Sequence, residues 1–325
     1  MTEETDYAFG PVPSRRLGRS LGINNIPAKV CTYSCVYCQL GRTSRLQVER
    51  EAFYNPEEIV AAVERKAAEA RARGEEIDYL TFVPDGEPTL DANLGREIES
   101  LRGLMPDLKV AVITNASLLD CSEVRADLRK ADWVSLKVDA ASEAVWRRVN
   151  RPHGQLKLRE IHAGMREFAQ EFKDKGKLVT ETMLIAGVND HDEELARIAD
   201  FLAEIEPEVA YLAVPTRPPA EPWVEPPSEE RVNGVFQAFS AQLPRVELLI
   251  GYEGDAFAAT GDVEEDLLSI TAVHPMRREA VEELLRKAGA GWEVVERLLA
   301  ERKLLELEYQ GKRFYLRKLP TRTRR

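Results

Sequence analysis

Six times between residues 20 and 214 a short apolar run of strand character appears, each followed by polar turn residues and five of them by a longer amphipathic segment. The runs are SLGINNI (20–26), IDYLTFV (77–83), KVAVIT (109–114), WVSLKV (133–138), LVTETMLI (178–185) and VAYLAV (209–214). Strands that alternate with helix-length amphipathic segments build a parallel sheet with helical crossovers. The helices are expected at 56–73, 93–104, 123–130, 143–149, 156–172 and 192–205. The first carries its own punctuation: Asn55 as N-cap, Pro56 at the first position, Glu57 and Glu58 in the first turn, and Gly74 as the stop. Polar residues gather after each strand, where a barrel places its active site. A twisted open sheet would use the same alternation, but this clustering favours a partial (β/α)6 TIM-type barrel. The stretch 215–227 holds six prolines and reads as a stiff surface segment. A helix at 229–242 and a strand at 246–251 complete this unit, followed by a linker near Thr260-Gly261.

The tail differs. Segments 264–273, 277–287 and 292–302 read as short helices, and 304–309 and 312–317 as strands joined at Gln310-Gly311. Three helices and a hairpin are the order of a winged helix-turn-helix. The expected units are therefore 1–260 and 261–325. Net charge is −11 overall, about −13 in 1–261 and about +2 in 262–325. An acidic body argues against a broad nucleic-acid surface. No run approaches the roughly 18 apolar residues of a membrane span. The N-terminus has no apolar secretory core, so a cytoplasmic protein is expected.

In the cytosol thiols stay reduced, so Cys31, Cys35 and Cys38 read as metal ligands rather than disulfides. They hold three of the chain's four cysteines within eight residues. The fourth, Cys121, is distant and reads as a small, at least partly buried residue, and the four histidines are scattered. Zinc would usually show a second Cys pair or two His, and a bacterial ferredoxin run needs a fourth Cys followed by Pro. Three thiolates can hold three corners of a cubic cluster and leave one iron open.

The spacing C-x3-C-x2-C, with Tyr37 before the last cysteine and a strand before the loop, resembles the signature of the radical S-adenosylmethionine enzymes. The resemblance extends over about residues 10–255. It implies that Cys31, Cys35 and Cys38 hold a [4Fe–4S] cluster whose fourth iron is chelated by S-adenosyl-L-methionine. An external one-electron reductant of flavodoxin or ferredoxin type would reduce the cluster. Reductive cleavage would then give a 5′-deoxyadenosyl radical that takes a hydrogen atom from the substrate. Asp85-Gly86-Glu87-Pro88 stands in place of the superfamily's Gly-Gly-Glu motif, with Asp85 departing from it. Its backbone would receive the cofactor's ammonium, since Gly permits close approach.

Other strand ends supply further candidates. Asn115 and Ser117 suit ribose or carboxylate, or cap the next helix. Lys137 and Asp139 could take the cofactor's carboxylate and ribose, or pair with each other. One of Thr180 and Glu181 should face the interior. Val188, in Gly187-Val188-Asn189-Asp190, could pack on adenine while Asp190 or Asp192 caps a helix. Arg15, Arg16, Arg19 and Arg217 could clamp an anionic substrate, or be solvated and salt-bridged. The lead-in from Pro13 to Asn24 is similar to the branch related to wyosine-type tRNA-modifying enzymes. Those enzymes can carry a second cluster on extra N-terminal cysteines, which this chain lacks. In the tail, Glu293 and Glu296 weaken a DNA-reading helix, while basic residues gather at Lys312, Arg313, Arg317, Lys318, Arg322, Arg324 and Arg325. A substrate- or partner-docking module is the favoured reading and nucleic-acid docking the sharper one. A redox-responsive iron–sulfur DNA-binding regulator is the competing function class.

Overall fold

The computed structural model describes residues 7–249, 262–273, 275–309 and 311–318. The expected linker at Thr260-Gly261, the turn residue Gln310, and Arg322, Arg324 and Arg325 lie outside them. The first elements are an antiparallel pair, β1 (Ala8–Ser14) and β2 (Gly18–Ile23). Two-residue strands β3 (Val30–Cys31) and β4 (Arg45–Leu46) then pair in parallel around the cysteine loop. Helices and strands alternate from there. They run α1 (Pro56–Ala72), β5 (Tyr79–Phe82), α2 (Leu94–Leu104), β6 (Lys109–Thr114), α3 (Ser122–Leu128) and β7 (Trp133–Lys137). The series continues with α4 (Glu143–Asn150), α5 (Leu158–Phe172), β8 (Lys177–Met183), α6 (Asp192–Ile205), β9 (Val209–Ala213), α7 (Glu229–Ser240) and β10 (Val246–Leu249).

The sheet order is β1-β2-β5-β6-β7-β8-β9-β10, parallel from β2 onward. Among the described residues β1 and β10 do not pair, so the sheet stays open, as a partial barrel does. Period two sorts its faces. Leu80, Phe82, Val110, Val112, Val134 and Leu136 pack with helix residues such as Ile59, Val63, Ile98, Leu101 and Phe168. The alternate positions Ala111, Trp133, Val179 and Tyr211 form a separate inner cluster that Leu17 joins. Asn55 caps α1 by accepting the Glu57 N–H at 3.1 Å, a contact worth about 1 kcal/mol.

The expected first strand, 20–26, is shifted: β2 ends at Ile23. The strand before it, β1, is absent from the sequence reading because Pro11 and Pro13 read as loop. An edge strand tolerates proline, and the β1–β2 register is broken between Phe9 and Val12.

A second core lies in the tail. It is built from α8 (Val263–Val273), β11 (Met276–Arg277), α9 (Arg278–Ala288), α10 (Glu293–Ala300), β12 (Leu304–Tyr309) and β13 (Lys312–Arg317). The strands form an antiparallel sheet in the order β11-β13-β12. Leu267, Ile270, Val281, Leu284, Val295, Leu298 and Tyr315 fill this core, and Val12 of β1 packs against it. Among the described residues no helix is long and apolar enough to cross a membrane.

Candidate active site

The cysteine loop is clasped from two sides. On the first side, the Lys29 N–H donates to the Asp85 carbonyl at 2.6 Å and the Glu87 N–H to the Val30 carbonyl at 3.2 Å. A Cβ on Gly86 would lie 1.9 Å from that Val30 oxygen. Glycine is therefore required here so that the turn can press on the cysteine-bearing strand. The Glu87 carboxylate is buried. Its Oε1 accepts from the Thr89 N–H, the Thr89 hydroxyl and the Thr114 hydroxyl, and its Oε2 accepts from the Asn115 N–H at 2.7 Å. Burial raises its pKa and these bonds oppose the rise. Asn115 Nδ2 in turn donates to Thr32 Oγ1 at 2.7 Å and lies 3.6 Å from Cys31 Sγ, while the Ser117 hydroxyl bonds Thr32 Oγ1 at 2.7 Å. Neither Asn115 nor Ser117 caps α3, whose N-cap is Cys121.

On the second side, the Tyr37 hydroxyl donates to Asp139 Oδ2. Asn150 Nδ2 donates to the same oxygen at 2.7 Å and reaches Cys35 Sγ at 3.4 Å. The Met183 N–H takes Asp139 Oδ1 at 2.9 Å. Asp139 is thus buried and occupied by protein donors, which explains why it positions Tyr37 rather than facing a ligand. Val188 is buried with Val36, Val149, Ile185 and Val224 against Tyr37, beneath the loop. In this segment Asn189 donates to the Asp139 and Met183 carbonyls, and Asp190 Oδ1 accepts the Gly187 N–H at 2.8 Å. The cap of α6 is His191, which accepts the Glu194 N–H.

Between these supports lies a cavity of about 320 Å³. Cys31, Cys35, Cys38, Tyr37, Asp85, Gly86 and Lys137 line it, together with Arg15, Arg16, Lys29, Glu181 and Arg217. Glu87, Asn115, Ser117, Asp139 and Val188 are not in its wall. Arg19 is exposed, and its N–H is held by Asp78. Cys121 is half-buried, and its thiol donates to Glu123 at 2.9 Å. A second hollow of about 320 Å³ sits at the ends of α5 and α6, lined by Arg166, Lys173, Glu204 and Glu206. Arg166 pairs there with Glu204 and Lys173 with Glu206, and Asp174 and Glu208 also line it; it contains no soft donor.

Burial pushes all three loop thiols up, Cys35 to about 12. Such thiols ionise only when a metal takes the proton's place. Among the described residues no three His, Cys, Asp or Glu side chains converge on one point that a single ion could share. A cubic cluster does not require that, because each thiolate meets a different iron. Asp85 is 6% exposed, and its Oδ1 has no hydrogen-bond partner. Burial raises its pKa to about 7, against the pull of Arg317 and Lys29. Glu181, opposite Lys137 in the β7–β8 register, faces inward and pairs with both Lys137 and Arg16. Burial alone would raise it, but the two cations outweigh burial and hold it at about 2. For Lys137 burial pulls down, while Glu181 and then Asp139 lift the pKa above its ordinary value. Thr180, on the other face, is buried.

Sequence reasoning missed Thr32 and Asn150. Thr32 lies inside the cysteine motif and could have been weighed as its internal brace. Asn150 ends a helix and carries no sequence signal, because its role depends on α4 returning beside the loop, where the Val36 N–H meets the Val149 carbonyl.

The sequence profile of the radical SAM superfamily matches residues 25–199. A UPF0026 protein of Methanocaldococcus jannaschii is 46% identical over 317 residues, 97% of each chain. Among solved structures, a radical SAM methyltransferase from Sphaerobacter thermophilus superposes with a TM-score of 0.53 at 19% identity, covering 71% of this chain and 67% of that one. TYW1 with a lysine-pyruvate adduct bound gives 0.51 at 15% identity, covering 69% and 74%. At these identities the likeness concerns the fold. The long relative places the chain among the UPF0026 proteins, and the profile carries the wider assignment: the chain belongs to the radical SAM superfamily, whose enzymes use a [4Fe–4S] cluster with S-adenosylmethionine.

Proposed function

We propose that Cys31, Cys35 and Cys38 hold the cluster and that the cavity they line is where a substrate hydrogen is abstracted. The observation that carries this is the shared wall: Cys31, Cys35, Cys38, Asp85 and Lys137 line one space. Bound together, the cluster and S-adenosylmethionine would supply one-electron radical chemistry, with an external donor of flavodoxin or ferredoxin type as the source of the electron. Asp85 would accept the cofactor's ammonium, and Lys137 would take its carboxylate. Tyr37, locked by Asp139, keeps the loop in register and lies under the Lys137 ammonium, 5.1 Å from the ring centre. Glu87, Asn115, Ser117 and Thr32 brace the loop from behind. The surrounding strands exclude water from the reacting atoms.

The tail, 261–325, reads as a winged helix-turn-helix beside a barrel of 1–260, supported by its three helices and the β11-β13-β12 sheet. Its helix α10 begins with Glu293 and Glu296, and Arg297 and Lys303 are both held by Glu264. The hairpin instead reaches the barrel: the Tyr309 hydroxyl donates to the Pro215 carbonyl at 3.4 Å, and Arg317 pulls on Asp85. That supports a module that docks substrate at the cavity's rim rather than one that reads DNA, and it leaves the regulator reading without support. A wyosine-type tRNA substrate is the second reading, favoured by the exposed Lys312 and Arg313 on the wing. Binding of tRNA with a steep salt dependence would support it.

Anaerobic reconstitution with iron and sulfide, followed by dithionite and S-adenosylmethionine, tests the main reading. The expected products are 5′-deoxyadenosine and methionine in the cofactor-cleaving reaction. A reconstituted cluster that yields neither would sink it.

A further inference from the structure

We infer that Lys29 raises the reduction potential of the cluster, its ammonium standing beside the Cys38 corner as a fixed positive charge that favours the arrival of an electron. The inference rests on the reading of Cys31, Cys35 and Cys38 as the cluster's ligands. Lys29 lies just before Cys31 with its backbone in the left-handed region, at φ 61°. That conformation is costly for a residue with a Cβ and readily adopted by glycine. The backbone is nevertheless held there. Its N–H donates to the Asp85 carbonyl at 2.6 Å, and its carbonyl accepts the Ser44 and Arg45 N–H groups at 3.1 Å and the Ser44 hydroxyl at 3.2 Å. Strain kept in the wall of a site points to a role for the side chain that the strained backbone presents.

Lys29 is half-buried and lines the cavity with the three thiols. A Cβ on Gly41 would lie 3.5 Å from its Nζ, and the Gly41 N–H donates to the Cys38 carbonyl at 3.1 Å. The ammonium therefore lies over the turn that carries Cys38. Among the described residues it makes no hydrogen bond or ion pair. Burial raises the Cys38 thiol most; of the charges there, Asp85 adds to the rise, and Lys29 and then Lys137 oppose it. Lys137 is already bonded to Glu181 and is drawn on by Asp139 as well. Asp85 offsets part of the Lys29 charge, but Arg317 acts on the same carboxylate. Lys29 is thus the cation at this corner that no acid holds by a hydrogen bond. A cluster's potential follows its net charge, the hydrogen bonds to its sulfurs and its exposure. Reduction brings one electron from the external donor, and with it one unit of negative charge, with no bond made or broken. Three thiolates already make the site negative, so a cation beside them favours the reduced form. A unit charge in a partly buried site shifts such an equilibrium about tenfold, which for a one-electron couple is about 59 mV.

The test is an anaerobic redox titration of the cluster-reconstituted full chain without S-adenosylmethionine, followed by electron paramagnetic resonance. Iron and sulfide content are measured first, and a parent chain that holds no cluster would condemn the active-site reading itself. With the cluster in place, Lys29→Met and Lys29→Gly should each lower the potential by about 59 mV, a tenfold weaker reduction equilibrium. Glycine suits φ 61°, so Lys29→Gly keeps the test decisive if Lys29→Met is unstable. Lys29→Arg should hold the parent's value. Lys173→Met, on an exposed residue paired with Glu206 in the second hollow, should leave the potential unchanged. The same drop should appear for Lys29→Met in an Asp85→Asn background, where no proton taken up on Asp85 can compensate. A parent-like potential in Lys29→Met and Lys29→Gly, a drop in Lys29→Met that Lys29→Gly does not share, or an equal drop in Lys29→Arg overturns the proposal. So does an unaltered potential combined with weakened S-adenosylmethionine binding by calorimetry, which would make Lys29 a cofactor contact instead.

Discussion

Replacing Glu87 by glutamine changes one atom and should loosen the cysteine loop. The Glu87 Oε1 holds three donors and Oε2 holds the Asn115 N–H. Glutamine keeps the first set by placing its carbonyl oxygen there, which turns its NH2 toward the Asn115 N–H. One hydrogen bond to a charged acceptor is lost, worth about 1.5–3 kcal/mol, and two buried donors then face each other. The expected destabilisation is about 3 kcal/mol. Because Asn115 also holds Thr32 and lies beside Cys31, iron bound per chain after reconstitution should fall severalfold. Denaturant unfolding of the cluster-free chain reads the first quantity and iron analysis the second. A variant within about 0.5 kcal/mol of the parent, with full iron content, would refute the bracing role.

Serine at Cys31, Cys35 or Cys38 should abolish the cluster's visible absorption and electron paramagnetic resonance signal, whereas Cys121→Ser should leave both intact because its thiol bonds Glu123 outside the cavity. Lys137→Met should weaken S-adenosylmethionine binding by about 10- to 100-fold by calorimetry, the loss expected of a charged contact. Glu97 is fully buried, and burial, then its neighbour Asp91, raise its pKa. The unfolded chain ionises this group above about 4.5 while the folded chain keeps the proton, so stability should fall as pH climbs from there through the raised folded value. Glu97→Gln should flatten that slope in unfolding curves at pH 6 and 9, and an unchanged slope would clear Glu97 of responsibility. Glu181 works in the opposite sense: its depressed pKa contributes stability above its ordinary 4.5 that is lost as pH falls toward about 2, and Glu181→Gln should remove that acid sensitivity.

The parallel strands and the cysteine loop were legible because their signals are local. An apolar run such as KVAVIT names β6 to the residue, and C-x3-C-x2-C needs no partner to be recognised. The supports were harder to read, because a side chain's partner depends on which strands become neighbours. Asn115 and Asp139 stand where a ligand could reach them in sequence terms, yet Thr32 and Tyr37 claim them once β6 and β7 flank the loop. Arg15, Arg16 and Arg19 look equivalent in the chain. The turn at 14–18 separates them, sending Arg16 inward to Glu181 and leaving Arg19 exposed at the start of β2.

Strand β1 is also one of the sheet's two edges among the described residues. Pro11 and Pro13 offer no N–H there, and α8 lies against the strand while Val12 joins the tail's core. An open flank of this kind is a template on which other chains can polymerise. Here the missing donors and the covering helix together block that route. The tail thus covers this edge through α8. Since α8 is synthesised long after β1, the strand must wait on the ribosome without its cover, and the two prolines are the protection already in place during that interval.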